Sequence, residues 1–78
     1  MSQRIPCAFR VLEGSVIALF PTIHENDGMI SSYMHVGQHS AASPDLITQL
    51  PKATQDQARE LRKELESKPY NYRLKYLD

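Results

Sequence analysis

The chain has no tryptophan, only three glycines and a single cysteine, Cys7, among its 78 residues. A lone cysteine excludes an intrachain disulfide. One unpaired thiol also points to a reducing compartment, since small secreted domains carry their cysteines in pairs. Long apolar runs are missing too. The longest, Val16-Ile17-Ala18-Leu19-Phe20, is strand length, far short of the ~18 residues of a membrane span. Met1 to Pro6 hold no apolar signal core, so the expected location is the cytoplasm, with no membrane partner. Nor is there an excess of one charge: nine bases balance nine acids, and no global field recruits a polyanion.

What is present suits one small domain over residues 1–78, with 1–7 as an irregular start. A domain of this size buries only about 60% of the surface its unfolded chain exposes. It therefore often leans on a metal or a partner subunit. The charge is mildly uneven. Residues 1–51 set Arg4 and Arg10 against Glu13, Glu25, Asp27 and Asp45, and the basic surplus falls in residues 52–78.

Periodicity supplies the elements. Cys7 to Leu12 alternates, with Phe9 and Val11 opposite Ala8 and Arg10. Glu13-Gly14 is a hairpin turn. Ser15 to Phe20 is a second strand that Pro21 ends. It is apolar on both faces, Val16, Ala18 and Phe20 against Ile17 and Leu19, which predicts a central strand covered on each side. Met29 to Val36 is a third strand, and residues 37–43 read as loop. Leu46, Ile47 and Leu50 suit a short helical turn after Ser43-Pro44-Asp45. The clearest element is a helix opened by the capping box Thr54/Gln57, carrying Ala58, Leu61 and Leu65 on one stripe and stopped by Pro69. Tyr70 to Leu77 is a final edge strand. The predicted fold is α+β: a two-layer sandwich in which one main helix packs a mostly antiparallel four-stranded sheet, in the order β-β-β-α-β. The second sheet face, with Ile17, Leu19 and Tyr33, must be closed by the 44–50 segment or by another chain.

The candidate chemistry clusters after the third strand. His35, Gln38, His39 and Ser40 offer donors and acceptors there, with His24 on a neighbouring loop. Three histidines, with or without Cys7, could hold a metal, but their spacing matches no ligand pattern. Ser40 beside His39 lacks a nucleophile elbow, and neighbouring residues on an extended chain point apart. Tyr70, Tyr72, Arg73, Lys75 and Tyr76 form an aromatic and basic stretch like those that stack and neutralise nucleic acid. There the tyrosines and the cations fall on opposite faces.

Val16 to Pro21, Ser32 to Ala41, and Ala53-Thr54 with Leu61 and Leu65 resemble a group of short uncharacterised bacterial proteins, over about residues 8–77. The specific part is the segment Tyr-x-His-Val-Gly-Gln-His-Ser at Tyr33 to Ser40. The resemblance implies a bacterial or mobile-element source and carries no activity, cofactor or catalytic residue. The leading functional expectation is a small protein-interaction module, homodimeric or adapting another protein, because strand two is greasier than one helix can shield. Nucleic-acid binding through the last strand comes second. A histidine-based metal site or small enzyme comes third. No cofactor is expected.

Overall fold

The computed structural model of the protein describes residues 4–34, 38–68 and 70–77. The strands are β1 (Ile5–Leu12), β2 (Ser15–His24), β3 (Ile30–Met34), β4 (Gln38–Ala42) and β5 (Leu74–Leu77). Between β4 and β5 lie a four-residue helix, α1 (Leu46–Gln49), and the main helix, α2 (Gln55–Glu66). Among the described residues no helix is long and apolar enough to cross a membrane.

The strands form one five-stranded sheet in the order β4-β3-β2-β1-β5. The α+β class matches the sequence reading, but the sheet is mixed and has a fifth strand. Residues 38–42, read as loop because serine and alanine are poor strand formers, form β4. Their register against β3, Ser32↔Ser40 and Tyr33↔His39, shows tertiary pairing overriding propensity. β5 is parallel to β1, with Ile5↔Leu74 through Ala8↔Leu77. Its partner turns residues 5–7, expected to be irregular, into strand. The final strand is also shorter than alternation suggested: residues 70–73 lie outside it.

The β1–β2 hairpin turns on Glu13 (φ 51°) and Gly14 (φ 81°), the two positive φ values that a two-residue turn of the I′ type requires. Its ladder runs from Leu12↔Ser15 to Ala8↔Leu19. Continued in that register, Pro6 falls opposite Pro21, and neither has an N–H to donate. Pro21 does not end β2, however. The strand passes through an irregularity between Phe20 and His24 and continues.

As expected, β2 is covered on both sides. On one face Cys7, Phe9, Ala18, Phe20, Tyr33 and Leu74 pack with Ala58, Leu61 and Leu65 of α2. On the other, Ala8, Ile17, Leu19, Ile30 and Ala42 are closed by Leu46, Ile47 and Leu50. Ile17 is 4% exposed and Leu19 fully buried. The chain's own segment 46–50 therefore seals the face that was expected to seek a partner. Tyr33, assigned to that second face, lies on the first, because Tyr33 pairs with Ala18 across β2 and β3. Its hydroxyl donates to Glu64 Oε1 at 2.7 Å.

Candidate functional site

Three of the five residues singled out for binding lie along one strand. Gln38, His39 and Ser40 belong to β4, an outer strand of the sheet. His24 is exposed at the end of β2, with β3 between it and β4. His35 lies outside the described residues.

Alternation sends His39 and Ser40 to opposite faces of β4. Ser40 Oγ sits 3.0 Å from Ser32 Oγ, and the Ser32 hydroxyl also lies 2.9 Å from the Ser40 carbonyl oxygen. This pair ties β4 to β3 on the face that α1 covers. His39 lies on the α2 face. Its ring meets Tyr33 edge-on at 4.7 Å between centroids and Tyr70 at 5.3 Å. Tyr70 in turn touches Tyr33 at 5.4 Å and Tyr72 at 5.6 Å, and Tyr72 meets Phe20 at 6.0 Å. A continuous chain of rings thus runs from the buried core to the exposed imidazole of His39. Edge-to-face contacts of this kind each contribute about 0.5–1.5 kcal/mol beyond area burial. They orient His39 and leave it no serine to activate, since Ser40 points away.

No group of three histidine, cysteine or acidic side chains able to hold a metal ion occurs among the described residues. Cys7 is buried in the core on β1. Burial pushes its thiol up to about 12, only partly offset by a hydrogen bond with the Leu19 backbone.

The aromatic and basic stretch is divided. Tyr70 and Tyr72 are half-buried against the core. Tyr76 is 48% exposed. Its ring leans on Phe9 at 6.0 Å and lies under the Arg62 guanidinium at 5.8 Å, and its hydroxyl donates to Glu66. Partial burial and the Glu66 carboxylate both raise its phenol above the usual range. Arg73 and Lys75 are exposed, and alternation within β5 sets Lys75 opposite Leu74 and Tyr76. Tyr76 is the most exposed of these tyrosines, and its ring is already in contact on both sides.

One buried charge stands apart from the candidate residues. Arg10 is 2% exposed. Its Nε donates to the Ile47 carbonyl at 2.8 Å and its Nη1 to the Phe9 carbonyl at 3.1 Å. The available signal was its place between Phe9 and Val11, on a strand whose neighbour is apolar on both faces. Comparison of the chain with protein-family models, curated proteins and solved structures found no match.

Proposed function

We propose that the protein is a homodimeric interaction module, and that its contact element is β4 pairing edge to edge with β4 of a second copy. The carrying observation is that β4 is an outer strand without the devices that normally blunt such edges. Gln38-His39-Ser40-Ala41-Ala42 contains no lysine, no acid and no proline, and among the described residues no segment pairs with its outer side. The opposite edge of the sheet is guarded. β5 is four residues long and carries Lys75, and beyond it the edge of β1 is taken by residues 51–53, through Val11 N to Pro51 O at 2.9 Å and Ala53 N to Phe9 O at 3.1 Å. An unblunted edge is a template for another strand.

The composition of β4 suits self-pairing. In an antiparallel pair centred on Ser40, His39 faces Ala41 of the other copy, so the imidazole meets a small residue. No like charges oppose each other. The sheet face is closed by α1, so the proposed interface lies at the sheet edge. A reducing, cytoplasmic setting is proposed with it, on the single thiol.

Sedimentation equilibrium tests it. The wild type should associate as a dimer at micromolar concentration. Ala41→Lys, on an exposed position, should be a monomer with unchanged circular dichroism, because a lysine on an edge opposes pairing. A wild type that stays monomeric to high micromolar concentration sinks the proposal, and so does a dimer that A41K leaves intact.

A further inference from the structure

Two residues present the open edge of β4. Along a strand of an antiparallel sheet, successive residues aim their N–H and C=O groups alternately at one neighbouring strand and the other. The Ser32 hydroxyl donates to the Ser40 carbonyl at 2.9 Å, across the pair Ser32↔Ser40. That carbonyl therefore faces β3, and the groups turned outward are those of His39 and Ala41. A second β4 laid antiparallel about Ser40 receives them in register. The N–H and C=O of His39 then exchange bonds with those of Ala41 of the other copy, once on each side of the twofold axis. His39 thus stands where pairing is made, with its ring on the α2 face.

Across such a pair the two His39 residues are diagonal neighbours on one face. Diagonal neighbours stand about 7–8 Å apart, within reach of aromatic and long side chains. Histidine is the side chain whose ordinary titration falls between about pH 5 and 8. Neutral imidazoles at this spacing oppose nothing. Protonated, they set two like charges on the same face of the joined strands. The ring has no easy escape. It meets Tyr33 edge-on at 4.7 Å and Tyr70 at 5.3 Å, so turning away forfeits both contacts. The described titratable groups on the elements packed against it are Tyr33 on β3, Tyr70 beyond α2, and Glu64 on α2, whose carboxylate accepts the Tyr33 hydroxyl. Glu64 stands in the same place whether the molecule is single or paired, so its charge favours neither state. β4 itself carries no carboxylate.

We infer that pairing through β4 is gated by pH with His39 as the sensor: the neutral imidazole permits the homodimer, and protonation releases the two copies. The inference rests on the homodimer proposed above and names what regulates it. The coupling is mutual, since pairing favours the neutral ring by as much as protonation disfavours pairing. Ala41 of the other copy acts in the same direction. Laying a methyl group beside the imidazole takes its charged form further from water. The dimer is therefore held at neutral pH and lost on mild acidification.

The test compares dimer dissociation constants at about pH 8 and about pH 5.5, by sedimentation equilibrium at low salt, with circular dichroism confirming the fold at both. Wild type should pair roughly tenfold more weakly in acid. His39→Gln keeps a polar side chain that cannot take a charge and should pair equally at both values. His24→Gln should behave as wild type. NMR titration of the His39 ring needs no variant: its midpoint should fall as protein concentration is raised through the range of association. A wild type monomeric at both values overturns the homodimer and the switch together. One that pairs as tightly or more tightly in acid overturns the switch and leaves the homodimer standing. Acid-sensitive pairing that survives His39→Gln, or a ring midpoint independent of concentration, overturns the assignment to His39.

Discussion

At the scale of single residues, burial sets the chemistry. The Cys7 thiol has no access to solvent and is pushed up to about 12 from its ordinary 9.0. An acid whose folded pKa is raised holds its proton more tightly in the native state than in the unfolded chain. Stability is therefore fully present below about pH 9 and falls as the pH climbs from there toward about 12, because only the unfolded chain releases the proton. Urea titrations across that window should show wild type losing stability faster than Cys7→Ala. At pH 8 the native thiol should resist a thiol reagent until denaturant is added. Much at this scale was legible in the sequence. The stripe Ala58, Leu61 and Leu65 is buried as its spacing requires. Alternation along β3 sets Tyr33 and Ile30 on opposite faces, but does not say which of the two α2 covers. That depends on the register Ala18↔Tyr33, and periodicity within one strand carries no information about its neighbour.

Among the elements, α2 is the most strongly specified. Thr54 Oγ1 accepts from the Gln57 amide at 3.1 Å, and Gln57 Oε1 accepts from the Thr54 amide at 2.8 Å. Thr54→Ala removes half of this reciprocal cap and should lower the unfolding free energy by about 1 kcal/mol, read as a shift in urea midpoint with an unchanged slope. The helix ends at Glu66, so Lys68 lies beyond it, and Glu64 receives the Tyr33 hydroxyl. β4 was the element least visible in advance. Alanine and serine announce no strand, and only the offer of ladder bonds from β3 makes extended structure favourable there. The candidate residues were consequently placed in a loop, whereas Gln38, His39 and Ser40 stand on the sheet itself.

For the molecule as a whole, the decisive contacts join distant parts of the chain, and these are what local patterning cannot show. Both coverings of the sheet were inferable from the two-sided β2. The parallel placement of β5 was not, because it depends on where the connection carrying α2 returns. Non-local pairing of this kind is reached late, after the entropy of closing a long loop has been met. Leu74, 5% exposed in the α2-side core, is a probe of that step. Leu74→Ala should accelerate unfolding several-fold while changing the refolding rate by less than about twofold in stopped-flow measurements.

The parallel seam between β1 and β5 also governs how the domain bears tension. The two strands lie side by side and point the same way, so a pull on the N-terminal side of Ile5 and the C-terminal side of Leu77 drags them past each other lengthwise. The bonds of a parallel ladder are evenly spaced along the strands, and under such shear they share the load at once instead of parting one after another. Stretched between those two points, this small domain should hold more firmly than a hairpin of equal length opened from its ends.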